Sequence, residues 1–542
     1  MGLKDIHAIA EYAGIDNNYV EPYGKYMAKI SLDVLKETKG KSAKVILVTA
    51  ITPTPAGEGK TTTSIGLTMA INKLGYKSIL AIRQPSLGPI FGIKGGATGG
   101  GLSTVEPSQE INFHFTGDFH AIESAHNLLS AILNNHIYYN MSPNIDPKKI
   151  VWRRTIDMND RSLRQIIVGL GKGNGAMYED GFDIVPASEV MSVIGVSQSY
   201  KELKERLGKI LVGFTKENEP VYAKDLKVDG AMAALLKNAL KPNLVQTSEN
   251  TPALIHMGPF GNIALGANSL IADKIGMSFS DYFVTEAGFG TELGAEKFFN
   301  VISRLGGFVP SVAVIVASIR ALKHHGGAKK VETEDLAALE KGFENLKFHV
   351  MNVKSFGVQP IVALNRFSTD TAKEIEFLGK LMDSEKIEWA LSEVYEKGSV
   401  GGLDLAEKVV KEAARNSNPQ INYTYDINDP INVKIEKIAK KVYHARGVIY
   451  TKEALDDLKR IQRLGLDKLF VCMAKTQLSI SDDPKLLNVP EEFDITVREI
   501  RIMSGAGYVV PILGEIITMP GLPKEPAAYR IDLTEDGNII GI

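Results

Sequence analysis

Thr54-Pro-Ala-Gly-Glu-Gly-Lys-Thr61 is the stretch on which the reading of the chain turns. It follows Lys44-Val-Ile-Leu-Val-Thr-Ala50, an apolar run of buried-strand character. It leads into Thr61–Leu74, a helical run with Leu67, Ala70, Ile71 and Leu74 on one face. Strand, Gly-rich loop, Gly-Lys-Thr and helix form the setting of a phosphate-cradling loop. Glycines admit backbone N–H groups to a polyphosphate, and the helix N-terminus adds partial positive charge. On this reading Thr54, Pro55, Ala56, Gly57, Glu58, Gly59, Lys60 and Thr61 contact a nucleotide. Lys60 reaches the β/γ-phosphates and the Thr61 hydroxyl binds Mg²⁺. Thr54 stands where the generic motif has its first glycine.

Outward from that loop, strand-like runs alternate with helical ones. Strands are predicted at Val45–Ala50, Ser78–Ile82, Asp281–Thr285, Val312–Ala317 and Gln359–Leu364. Helices are predicted at Ala121–Leu133, Leu293–Ser303, Glu334–Asn352 and Thr371–Met382. The pattern predicts an α/β protein with a mostly parallel sheet of the P-loop NTPase type in a large N-terminal domain, followed by smaller α/β domains. The expected layout is 1–330 for the ATP-binding domain, with 140–245 as an insertion, then 331–425 and 426–542, with Pro419–Pro430 as a linker. A chain of 542 residues is too long for one core. Ligands of such sheets bind at the carboxyl ends of the strands.

Composition removes several classes. A net charge of −2 gives no electrostatic reason to bind nucleic acid or an anionic membrane. The N-terminus lacks the apolar core of a signal peptide, and Val309–Ile319 is too short to span a bilayer and contains Pro310. One cysteine, Cys472, excludes an internal disulfide and a Cys-based zinc site, and its apolar run reads as a packed strand. A cytoplasmic location is the simplest expectation.

Further candidates follow the predicted strands. Arg83 directly follows the second strand, where a guanidinium can hold an anionic intermediate. Gly92-Ile-Lys-Gly-Gly-Ala-Thr-Gly-Gly-Gly101 is a loop able to change shape or let a ligand touch backbone. Asp118 opens a helix: it is either the helix N-cap or a group near Mg²⁺ or a substrate amine, and the residues alone leave both open. His256–Gly261 and Glu286–Gly294 follow apolar runs and should line the ligand edge. His324-His325 reads as a helix end rather than a metal site. Phe367 and Tyr395, on loops one unit apart, are either independent core aromatics or a sandwich for a flat heterocycle.

Together these segments resemble the formate–tetrahydrofolate ligase family. The matching stretches are Thr52–Thr63, Pro85-Ser-Leu-Gly-Pro89, Gly92–Gly101, Phe115-Thr-Gly-Asp118, Gly288-Phe-Gly290, Asn365-Arg-Phe367, Ala474-Lys-Thr-Gln477 and Thr518-Met-Pro-Gly-Leu-Pro523. They run in order along essentially the whole chain. The resemblance implies an ATP-dependent ligase in which formate attacks the γ-phosphate of Mg-ATP, and N10 of tetrahydrofolate then attacks formyl phosphate. It implies Lys60, Arg83 and Asp118 as catalytic, Thr61 on Mg²⁺, Ser504, Gly505, Ala506 and Gly507 near the nucleotide base, and Phe367 and Tyr395 on the pterin. It also implies a homotetramer activated by K⁺ or another monovalent cation. The chain departs from the family pattern at Gln84 (usually Glu), Tyr395 (usually Trp), Thr291-Glu292 (usually Ala-Asp), and Leu265 and Ala267 (commonly His and Cys). Readings from other directions are an ATP-driven switch that dimerises on a partner, and a related ligase for a different small carboxylate. The first would hydrolyse ATP without a small-molecule acceptor.

Overall fold

The computed structural model describes residues 2–38, 42–55, 57–416 and 418–542. At its centre is a twelve-stranded sheet. Its main strands are β1 (Val20–Pro22), β2 (Ala28–Ile30), β3 (Lys44–Ala50), β4 (Ser78–Ile82), β5 (Ser103–Glu106), β6 (Asn243–Thr247), β7 (Pro252–Ile255), β8 (Tyr282–Gly290), β9 (Val312–Ala317), β10 (Gln359–Asn365) and β11 (Trp389–Ser392). In space the order is β1-β2-β6-β7-β4-β8-β3-β9-β10-β11, with β5 paired to β6. Every pairing from β7 to β11 is parallel, whereas β1, β2, β5 and β6 form an antiparallel edge.

Parallel strands covered on both faces read as unbroken apolar runs, which is why β3 and β9 were legible. Val312-Ala-Val-Ile-Val-Ala317 is buried throughout. On one face Val48 and Val314 pack with Leu67 and Ala70 of α1 (Lys60–Lys73). The opposite face carries α2 (Asp118–Tyr138), α3 (Leu270–Phe279), α4 (Ile319–His325) and α5 (Leu336–Ser355). Each fully buried Leu, Ile or Val contributes about 1.5–3 kcal/mol, so this double cover is the main source of the sheet's stability.

The sheet runs straight across residue 330. β9 pairs with β10 from Val312↔Gln359 to Ala317↔Leu364, so the segment 331–425 extends the sheet of 1–330. The helix expected at Glu334–Asn352 is α5, the crossover helix that a parallel β9–β10 pair requires. Within 140–245 a separate antiparallel sheet joins Ile145–Ile150, Leu211–Thr215 and Pro220–Tyr222 before β6 returns to the main sheet. Beyond Pro419–Pro430, Gly447–Tyr450, Phe470–Val471, Asp494–Met503 and Tyr508–Leu513 form a mixed four-stranded sheet. The helix expected at Leu293–Ser303 is present as a continuous helical run from Thr291, π-wound at Thr291–Ala295 and Phe298–Ile302 and α-helical at Ser303–Gly306. Among the described residues no helix is long and apolar enough to cross a membrane.

Candidate functional site

The order β4-β8-β3 sets the site. Neighbouring strands lie about 4.8 Å apart, so the carboxyl ends of these three converge within about 10 Å. Arg83 leaves β4, the phosphate loop leaves β3, and Glu286 sits between them on β8, level with Val48. The Thr61 hydroxyl donates to Glu286 Oε2 at 3.0 Å. Arg83 Nη2 lies 3.9 Å from Glu286 Oε1, while its Nη1 donates to Pro259 O at 3.1 Å. Lys60 Nζ donates to Ala287 O, the next carbonyl along β8. Desolvation lowers the Lys60 pKa to about 7; Glu286 opposes the shift, and Arg83 and Lys94 reinforce it. Desolvation also lowers Arg83, again against Glu286. A single buried carboxylate thus anchors a cluster of cations.

The phosphate loop shows why Thr54 replaces the first glycine. Gly57 (φ 76°) and Gly59 (φ 75°) are left-handed, and Thr54 is not. Glu58 Oε1 accepts from the Thr54 N–H at 2.9 Å and its hydroxyl at 2.8 Å, while the other carboxylate oxygen accepts from Ser318. Gly59 is irreplaceable on two counts: its φ is positive, and a Cβ there would lie 2.3 Å from Asn365 Nδ2. Asn365 donates to Glu58 O at 3.0 Å, and Arg320 Nη2 to Gly57 O at 2.5 Å. Pro55 forms the loop's turn, and Ala56 lies outside the described residues.

Asp118 is elsewhere engaged. Gly117 is the N-cap of α2 and Asp118 the first helical residue, so the N-cap expectation does not hold. Lys29 Nζ donates to Asp118 Oδ1 and Asn243 Nδ2 to Oδ2, both at 2.7 Å, inside a site where Asp118 and Lys29 are each 1% exposed. Each Asp118 oxygen therefore already accepts one buried donor. His256 is likewise locked: Nδ1 pairs with Ser269 Oγ at 2.5 Å, Nε2 with Ala239 O at 2.7 Å, and burial lowers its pKa to about 4.

Phe367 and Tyr395 do not stack on each other. The Arg320 guanidinium lies 4.0 Å over the Phe367 ring, which links that ring to the phosphate loop through Gly57. Tyr395 is 55% exposed, and its carbonyl accepts from Leu102 N at 2.8 Å. A Cβ at Gly101 would lie 2.0 Å from that carbonyl, at a φ of +60°. The Gly-rich loop is thus glycine at this point because it packs under Tyr395.

Ser504–Gly507 form the turn between two C-terminal strands. Glu189 Oε1 accepts from Gly505 N at 2.7 Å, Ser504 Oγ donates to Lys209 O at 2.6 Å, and Arg206 donates to Gly505 O and Ala506 O. These bonds dock the turn on residues 189–211. Among the departures, Gln84 Oε1 is buried with no hydrogen-bond partner among the described residues, and Leu265 and Ala267 are core residues. Cys472 is buried, and desolvation pushes its thiol up to about 11. His324-His325 end α4, as expected.

Sequence reading placed Glu58 in the phosphate loop, Glu286 on the ligand edge and Asn365 in a matching stretch without giving any of the three its role, and it missed Arg320 and Lys29. Glu286 had a signal, an acid closing the apolar run Tyr282-Phe-Val-Thr285, the place a Mg²⁺-orienting acid takes in phosphate-loop proteins. Lys29 had none. Thr61 and Glu286 offer hard oxygen donors of the kind Mg²⁺ takes alongside phosphates. Among the described residues no cluster of three His, Cys, Asp or Glu side chains forms a metal site of its own.

Comparison with known proteins places this geometry in context. The family model described as "Formate--tetrahydrofolate ligase" matches residues 1–542. The formate–tetrahydrofolate ligase of Thermoplasma volcanium is 58% identical over 541 residues, covering 100% of both chains. That of Thermoplasma acidophilum is also 58% identical over 541 residues, covering 100% of both. That of Caldicellulosiruptor saccharolyticus is 55% identical over 547 residues, covering 100% of this chain and 98% of the relative.

Proposed function

The chain belongs to the formate–tetrahydrofolate ligase family, and from that premise we propose how its site joins formate to tetrahydrofolate. The observation that carries the reading is the convergence of Thr61 and Arg83 on Glu286, with Lys60 on the adjoining Ala287 carbonyl, at one sheet edge. ATP lies along the phosphate loop, with Lys60 on the β/γ-phosphates. Thr61 and Glu286 face the Mg²⁺ that accompanies it, which neutralises charge on the phosphate oxygens.

A formate oxygen attacks the γ-phosphorus, and the bond from that phosphorus to the bridging oxygen breaks, releasing ADP. Phosphorylation turns a poor leaving oxygen into a good one. Arg83, steadied by Pro259 and Glu286, directs its guanidinium at the anionic formyl phosphate. N10 of tetrahydrofolate attacks the formyl carbon, the carbon–oxygen bond to phosphate breaks, and the N10 proton passes to the departing phosphate. The products are 10-formyltetrahydrofolate, ADP and phosphate. The pterin packs against the exposed Tyr395 ring and the face of Phe367 not covered by Arg320. Asp118 holds Lys29 rather than the reacting amine. The same reading carries a monovalent-cation requirement, a homotetramer, a cytoplasmic location, and residues 426–542 as a C-terminal domain beside one continuous sheet. Each rests on family resemblance or chain layout.

The test is ADP release from Mg-ATP with K⁺, with and without formate and tetrahydrofolate. Turnover should require both, and Lys60→Ala and Arg83→Ala should each lose about 100-fold or more. ADP release indifferent to both substrates, or unimpaired turnover in Arg83→Ala, overturns the reading.

A further inference from the structure

A buried polar chain lies behind the phosphate loop. Thr52, two residues beyond β3, is 1% exposed, and three side chains hold its polar groups. Its N–H donates to His349 Nε2 at 2.8 Å. Its carbonyl pairs with His325 Nε2 at 2.9 Å. Its hydroxyl accepts from Asn345 Nδ2 at 3.1 Å. On the far side of the His349 ring, Nδ1 lies 2.7 Å from Thr291 Oγ1, which also accepts from Asn352 Nδ2 at 3.1 Å.

These contacts fix the proton positions. An Nε2 that accepts a backbone N–H carries no proton, so His349 is neutral and its Nδ1–H donates to Thr291. His325 has the opposite tautomer: Nδ1 accepts from Asn488 N at 3.2 Å, and Nε2–H donates to Thr52 O. Charged groups around His349 are Glu292, with Oε2 3.8 Å from Nδ1, and Lys475, which pairs with Glu292 Oε1 at 3.3 Å. Desolvation, His325 and Lys475 all hold the imidazole well below its ordinary pKa. Through Lys475 and Asn488 the chain reaches the C-terminal part of the protein.

We infer that His349 is a positioning residue for the phosphate loop: a neutral imidazole tying Thr52, where the loop begins, to Thr291, just past the strand that bears Glu286. It sets the loop's register against Glu286, and with it the places of Lys60 and Thr61. This rests on the reading that the loop binds Mg-ATP.

Titration calorimetry with MgADP and steady-state kinetics on full-length variants test it. His349→Gln offers an amide oxygen near the Nε2 position; His349→Phe keeps a ring and removes the acceptor. A buried N–H left unpaired costs about a factor of ten or more. His349→Phe should therefore weaken MgADP binding and raise KM for Mg-ATP about tenfold, with kcat changed less than about threefold, and His349→Gln should recover most of the loss. Thr291→Val keeps the shape, removes the Nδ1–H acceptor, and should move KM for Mg-ATP the same way. An unchanged KM in His349→Phe, or equal losses in the Gln and Phe variants, overturns the inference. If wild type binds MgADP and Lys60→Ala does not, while His349→Phe binds as wild type does, the inference falls and the nucleotide reading stands. If wild type fails to bind, both fall. Should His349→Phe not fold, an unchanged KM in Thr291→Val overturns the inference.

Discussion

Removing the Asp118 carboxylate separates a structural role from a chemical one. Lys29 and Asn243 occupy both its oxygens, and without it the Lys29 ammonium keeps only Lys241 O at 3.1 Å and Asn243 Oδ1 at 2.9 Å. Desolvation already lowers the Lys29 pKa, and Asp118 is the first force opposing that shift, so Asp118→Ala lowers it further and leaves a buried amine without its counter-charge. Breaking a buried pair by removing one partner costs about 3–5 kcal/mol. Unfolding entropy is about 2 cal/mol/K per residue. If all 542 residues melt as one unit, the slope is about 1.1 kcal/mol/K and Tm falls about 3–5 °C. A smaller melting unit gives a larger fall. Replacing both partners, Lys29→Met with Asp118→Leu, should recover much of the loss, because no charge is left stranded. The assay is calorimetry together with kcat per folded molecule at 25 °C. Asp118→Asn should keep kcat within about threefold, since shape and one acceptor survive. A Tm within about 1 °C of wild type combined with a kcat loss above about 100-fold would refute the reasoning and return Asp118 to the chemistry.

Other expectations follow from the same geometry. Glu286→Gln keeps an acceptor for Thr61 but removes the charge facing Mg²⁺, so half-maximal activity should need several times more Mg²⁺, read from a metal titration. With Lys60 held near 7, the free site carries its ammonium below that pH and must take up a proton to bind polyphosphate above it. The Kd for MgADP should therefore be flat below about pH 6.5 and rise by up to about tenfold per unit above about 7.5, and a flat profile to pH 9 would contradict the assignment. Gly101→Ala forces a Cβ against Tyr395 O at a positive φ, so KM for tetrahydrofolate should rise severalfold while MgADP binding is unchanged.

The parts of the fold open to sequence reading were those whose environment is uniform. Val312–Ala317 and Ser78–Ile82 are buried on both faces, so all their residues but Ser78 are apolar and their limits coincide with the predicted ones. β6 escaped because Asn243, Gln246 and Thr247 are polar yet buried, Asn243 and Gln246 satisfied by the long-range partners Asp118 and Lys4 and the Thr247 hydroxyl by the Glu249 and Thr251 N–H groups. β11 escaped because four residues at a sheet edge carry no period. The expected boundary at 330 fell just ahead of α5 because a crossover helix and the start of a new unit have the same local signature. Only the pairing of β9 with β10 distinguishes them.

The site divides along the same line. Lys60 and Thr61 belong to a local motif whose spacing carries its meaning, and Arg83 follows its strand directly. Glu286 lies 225 positions beyond Thr61, and nothing in its own neighbourhood says that β8 will slot between β4 and β3. The departure at Thr291-Glu292 has the same character. Along the chain it is two adjacent changes of no evident connection. In space Thr291 is the acceptor for His349, and Glu292 is the counter-charge for a fully buried Lys475. Either position changed alone to the usual Ala-Asp pattern strands a buried partner: Thr291→Ala removes the oxygen that fixes the His349 tautomer, and Glu292→Asp shortens the reach to Lys475 by one methylene. The pair is therefore expected to tolerate exchange only when the groups facing it, His349 and Lys475, are repacked with it.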